Sequence, residues 1–102
     1  MNTINQTEEF SDWLRDLKDR VAKGSILSRI RRAQLGNFGS HKDLGDGVSE
    51  MKIDVGPGYR VYYGRQGGTV YLLICGGDKS SQDADIKHAK DIWEQFNKEQ
   101  QP

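Results

Sequence analysis

Two short stretches of this sequence hold residue types able to do chemistry: Gly58-Tyr59-Arg60-Val61-Tyr62 and Gly76-Gly77-Asp78-Lys79. A guanidinium is planar and grips a phosphate or carboxylate with two N–H donors. A lysine is a point charge that can also move a proton when its pKa is lowered. Upstream, Glu50, Lys52 and Asp54 alternate with Met51, Ile53 and Val55. That period of two predicts a strand with its charges on one face and its apolar side chains on the other. If the Gly56-Pro57-Gly58 turn is symmetric, Asp54 faces Arg60 and Lys52 faces Tyr62. Glu50, Lys52, Asp54, Arg60 and Tyr62 then share a face. Such a face is either a solvated surface with weak cross-strand ion pairs or a place where an anion is held. The second reading gains from the start of the last helix beside Lys79, because helix N-termini favour phosphate.

The elements that must position these residues follow from periodicity. Thr7 is a candidate cap, with Glu8 and Glu9 in the first turn of a helix whose apolar face carries Phe10, Trp13, Leu14, Leu17 and Val21. Gly24-Ser25 breaks it, and Ile26, Leu27, Ile30 and Ala33 mark a second helix ending near Gly36. So short a connection predicts an antiparallel helical hairpin. The stretch 37–47 reads as a long, functional loop. Three strands follow: 48–55, 59–63 and 70–75, joined by turns at Gly56-Pro57-Gly58 and Gln66-Gly67-Gly68. The last is apolar on both faces, which predicts a central or doubly covered strand. A final helix carries Ile86, Ala89, Trp93 and Phe96, with Ser80 and Asp83 in a capping pattern, and residues 98–102 read as frayed. The order, beginning with a short strand, predicts one α+β domain with its helices on one face of an antiparallel three-strand meander.

Composition narrows the function classes. The 102 residues carry 15 Lys+Arg against 15 Asp+Glu, which argues against a general nucleic-acid coat. The charge is segregated, however. Arg15, Lys18, Arg20, Lys23, Arg29, Arg31 and Arg32 stand against Asp16 and Asp19, while the end of the chain is mildly acidic. Arg29, Arg31 and Arg32 read equally as a solvated helix face or as a grip on RNA phosphates. Cys75 is a lone cysteine in a strand, expected as a small buried hydrophobe. Two histidines and one cysteine, far apart, offer no metal-ligand spacing. His41 and His88 read as a solvated loop residue and a surface helix residue. With no leader and no spanning apolar run, the expectation is a cytoplasmic protein with no membrane partner.

The sequence "GDGVSEMKIDVGPGYRVYYGR" followed by "VYLLICGGDKSSQDADIKHAK", with "ILSRIRRAQLGNFG" upstream, resembles the addiction-module killer toxins. These are a HigB-like branch of the RelE/ParE toxin superfamily, and the likeness covers nearly the whole chain. It implies a RelE-like fold and the toxin of a type II toxin–antitoxin module, silenced by an antitoxin with a helix-turn-helix domain. It also implies ribosome-dependent mRNA cleavage without a cofactor. By position, Arg60 matches the sheet arginine that contacts the scissile phosphate, Lys79 the basic residue at the end of the last strand, and Lys52 a lysine on the neighbouring strand.

In such cleavage the ribose 2′-OH attacks the adjacent phosphate. A base, a charge stabiliser and an acid are then required. Arg60 suits the stabilising role, Lys79 can do likewise or, with a lowered pKa, act as acid or base, and Lys52, Asp54 and Glu50 are candidate bases by position. Tyr62 is the tyrosine best placed to meet RNA, and Asp78 is expected to orient Lys79. The tail "DIWEQFNKEQQP" lacks the tyrosine or histidine that ribosome-dependent relatives use as proton donor. Two alternatives therefore stay open: a ParE-like toxin that poisons DNA gyrase without nuclease chemistry, and a non-toxic module that binds a regulator.

Overall fold

The computed structural model describes residues 1–100 as an α+β fold built on a five-stranded mixed sheet of order β1-β5-β4-β3-β2. The elements are β1 (Thr3–Gln6), α1 (Glu8–Asp16), α2 (Arg20–Gln34), β2 (His41–Asp43), β3 (Val48–Ile53), β4 (Tyr59–Gly67), β5 (Val70–Asp78) and α3 (Gln82–Gln100). A 3-10 turn, Lys79–Ser81, leads into α3. The strands β2 to β5 run antiparallel in turn, and β1 joins β5 in parallel. The expected meander is therefore the centre of a wider sheet. Residues 98–100 are helical rather than frayed, and residues 101 and 102 lie outside the described chain.

Helices cover both faces, not one. Phe10 of α1 and Ala22, Ile26 and Ala33 of α2 pack on Met51, Ile53, Val61, Tyr63 and Leu73. Ala89 and Trp93 of α3 pack on Val48, Tyr62, Leu72, Ile74 and Cys75 on the other side. This is why β5 reads as apolar throughout: both of its faces are core. Each fully buried large side chain here contributes roughly 1.5–3 kcal/mol. Cys75 is 3% exposed, and burial pushes its thiol pKa up to about 12.

Local chemistry explains where the helices begin and end. Thr7 accepts a hydrogen bond from Phe10 N at 3.0 Å and donates one to Ile74 O at 2.6 Å, so one hydroxyl caps α1 and ties it to β5. The break after α1 comes at Leu17, not at Gly24-Ser25. Asp19 caps a new helix by accepting from Ala22 N at 3.0 Å. The apolar spacing that carried the first helix on to Val21 is coincidental, and Val21 is 71% exposed. α1 rests chiefly on β5, and α2 on β1 and β3, rather than pairing as a hairpin. The stretch read as a loop contains β2, paired with β3 through His41↔Met51, Lys42↔Glu50 and Asp43↔Ser49.

β5 runs on past the expected end at residue 75 to Asp78, and a bulge explains the two glycines within it. Tyr62 pairs with Cys75 and Tyr63 with Leu73, leaving Ile74 unmatched. The extra residue puts Ile74 and Cys75 on the same face and reverses every position after them. Gly76 thus lies under the Trp13 ring and Gly77 under the Asp85 carboxylate; a methyl group at either would collide with that neighbour. The glycines make room for the protein's own side chains, not for an incoming chain. Gly76→Ala is expected to cost roughly 1–3 kcal/mol by overpacking, read from urea unfolding. Adding Trp13→Leu should recover most of that loss; an unchanged midpoint in Gly76→Ala would refute the contact.

Candidate functional site

The face set of the sequence reading survives, with a different register. The turn centres on Gly56, so Lys52 pairs with Arg60 and Glu50 with Tyr62. The shift from the expected pairing is two residues, an even number, and so leaves each side chain on its face. Asp54 falls beyond the end of β3, where its carboxylate lies 3.5 Å from Lys52 Nζ. Glu50, Lys52 and Arg60, with Lys42 of β2 and Gln82 of α3, line a cleft of ≈ 330 Å³.

Arg60 forms the floor and is 6% exposed, with Glu50 at 5%. Its Nη1 donates to Gly58 O at 2.9 Å. Its Nε lies 3.5 Å from Glu50 Oε1, close enough for an ion pair but without the alignment of a hydrogen bond, and that N–H has no partner among the described residues. Glu50 Oε1 in turn accepts from Gln82 Nε2 at 2.9 Å, which links the pair to the first residue of α3. Gly58 has φ +83°, a conformation that side-chain-bearing residues rarely adopt, and a Cβ there would sit 3.3 Å from Arg60 Nη1.

The other expected site residues divide. Lys79 is exposed on the 3-10 turn and does not line the cleft, yet Gly58 sits between the base of its side chain and the Arg60 guanidinium. Asp78 does not orient Lys79. Its carboxylate accepts from Ser80 N at 2.8 Å and from the Ser80 hydroxyl, and these bonds hold its pKa below the usual carboxylate value. Asp78 therefore caps the 3-10 turn, where Ser80 had been expected to cap the last helix. Tyr62 is fully buried with its hydroxyl unpartnered, and burial raises its pKa, so it offers no ring to RNA.

Arg29 is a structural staple rather than a free cation. It donates to Lys52 O at 2.7 Å, Phe38 O at 2.9 Å and Ser40 O at 3.1 Å. Burial, then the nearby Arg32, lowers its pKa. Arg31 and Arg32 are exposed, on the helical layer across the sheet from Arg60. Three residues that line the cleft, Ser40, Lys42 and Gln82, were not expected there. Lys42 needed β2 to be recognised, and Gln82 needed α3 to be placed on the Arg60 face. His41 also lines the cleft, although it pairs with Met51, whose side chain lies on the other face; its Nδ1 lies 2.7 Å from Gly39 O. His88 is exposed as expected, 2.9 Å from Glu9 Oε2.

The buried pair makes Arg60→Ala a poor probe of function, because it strands the Glu50 charge. Removing one partner of a buried pair costs about 3–5 kcal/mol. We expect Arg60→Ala to lose stability in that range by chemical denaturation, and Glu50→Gln with Arg60→Gln together to lose less than the single change. Equal stability of Arg60→Ala and the parent would contradict the burial.

No model of a known protein family matches the sequence. A protein of Haemophilus influenzae, described as uncharacterized, is 53% identical over 87 residues, covering 85% of this chain and 88% of that protein. Identity at that level and coverage places both chains on one fold, and the chain belongs to the same family as the Haemophilus influenzae protein.

Proposed function

We propose that the chain is the toxin of a type II toxin–antitoxin module, a HigB/RelE-like mRNA interferase whose Arg60 cleft receives the scissile phosphate. The observation that carries this reading is a buried guanidinium, fixed by Gly58 O and Glu50, at the floor of an open cleft rimmed by Lys42 and Lys52. A preorganised cation stabilises developing negative charge without reorganising at the moment of reaction. The α+β order of strand, two helices, antiparallel strands and helix is the coarse arrangement this reading requires.

In this reading the ribose 2′ oxygen bonds to the neighbouring phosphorus and the bond from phosphorus to the 5′ oxygen breaks. One fragment ends in a 2′,3′-cyclic phosphate and the other begins with a 5′-hydroxyl. Arg60 stabilises the extra charge on phosphorus. Glu50, inside the cleft, accepts the 2′-OH proton in preference to Asp54, which lies past the strand end. The ammonium groups of Lys42 and Lys52 supply the proton for the leaving oxygen. Lys79, exposed and with its Cβ beside Gly58, adds positive charge near the site. The partners are the ribosome, its mRNA and a helix-turn-helix antitoxin, in the cytoplasm, with no cofactor. The gyrase-poison alternative keeps the fold and leaves the cleft without work.

Arg60→Lys separates these readings without stranding Glu50, since it keeps the charge and removes the two-pronged donor. The folded variant should inhibit in vitro translation on purified ribosomes roughly 100-fold less than the parent, the scale of losing one preorganised donor. Full inhibition by Arg60→Lys would sink the assignment. Loss of gyrase supercoiling by the parent, with translation untouched, would move the function to the alternative.

A further inference from the structure

On the opposite face of the sheet, past the end of α2, the strands are left open. Phe38 from the loop after α2 stacks on Tyr63, with ring centroids 4.9 Å apart and planes 14° from parallel, and meets Tyr71 at 4.8 Å. With Ser49, Arg65 and Asp43 these rings line a groove of ≈ 480 Å³. Ser49 pairs across the strands with Tyr63 and Asp43, and Arg65 with Tyr71, so polar and aromatic side chains share one row. Arg65 Nε donates to Gly68 O at 2.7 Å, which anchors its guanidinium plane.

The groove and the Arg60 cleft meet around the sheet edge. His41 and Lys42 line both, and they belong to β2, the outermost strand. A polymer with a charged backbone and flat bases fits this layout. Its phosphate would lie at the lysine-rimmed cleft, its next segment would cross the single edge strand beside Lys42, and a base would reach the half-buried Phe38 and Tyr71 rings, with Tyr63 buried behind them. Aromatic faces bind any base by stacking, Arg65 adds a cationic plane, and Ser49 and Asp43 offer an acceptor-rich edge for base N–H groups.

We infer that this groove is a nucleobase-binding subsite for the same single-stranded RNA whose phosphate sits at Arg60. The inference rests on the proposed RNA cleavage and adds to it the place where a base is held.

The test titrates the intact chain into a fluorescein-labelled single-stranded RNA hexanucleotide and into its abasic counterpart, followed by anisotropy at low salt. Phe38→Leu and Arg65→Lys, checked for folding by thermal melts, should each weaken binding of the base-bearing RNA, Phe38→Leu by about tenfold. Both should leave the abasic RNA within about twofold, since its backbone charge still meets the lysines. Lys52→Ala should weaken both RNAs alike. Arg65 is exposed, so Arg65→Lys keeps the test valid if Phe38→Leu unfolds. If the groove variants change neither RNA, or both equally, while Lys52→Ala weakens both, the subsite is wrong and the RNA reading stands. If the parent binds neither RNA, the subsite is also wrong, and the translation assay with Arg60→Lys decides the cleavage reading independently.

Discussion

Arg60 and Glu50 face each other from adjacent strands at 3.5 Å, each with about a twentieth of its surface in water. Taking two charges out of water costs several kcal/mol each, and their attraction offsets this only if further hydrogen bonds complete the set. Here those bonds come from Gly58 O and from Gln82, so the β3–β4 turn and the start of α3 are held in place by the pair. The demand propagates. Gly58 has to be glycine for the carbonyl to reach, and α3 has to dock where its first residue meets Glu50. The arrangement lets Arg60 line the cleft while its Nε–H stays buried, with no hydrogen-bond partner among the described residues. A fold optimised for stability alone would have filled that position with apolar side chains.

The second organising feature is the bulge at Ile74. It swaps the faces of all later residues in β5, bringing Gly77, not Gly76, beneath α3. Thr7 satisfies the carbonyl of the bulged residue while capping α1, so the first helix and the bulge stabilise one another. Asp85 can then approach over Gly77 and bond Ser81 at 2.6 Å, which sets the entry of α3 next to Arg60. The glycine pair therefore shapes the site indirectly, through packing against Trp13 and Asp85.

Much of the sheet was readable because a period of two survives any even shift in register. Arg60, Lys52 and Glu50 were placed on one face although every expected cross-strand partner was wrong. The caps at Thr7 and near Gly36 were readable for the same local reason, a side chain or glycine acting on its own neighbours. What could not be read depended on contacts between distant segments. β2 has three polar, exposed residues and no pattern of its own, so Lys42 went unplaced. The side of the sheet taken by α3 is set by the bulge, which carries no composition signal. The burial of Arg60 and Tyr62 followed from α3 as well, and so a residue expected at the surface proved to be core. Arg29 looked like its neighbours Arg31 and Arg32; only the carbonyls of a folded loop distinguish it.

On the proposed function, the Arg60 cleft directs a 2′-hydroxyl onto the adjacent phosphate of translated mRNA. End-group analysis of a defined transcript, incubated with purified ribosomes and the chain, tests it most directly. Fragments with a 2′,3′-cyclic phosphate upstream and a 5′-hydroxyl downstream are expected, formed only when the transcript is being translated. An intact transcript, or fragments beginning with a 5′-phosphate, would contradict it.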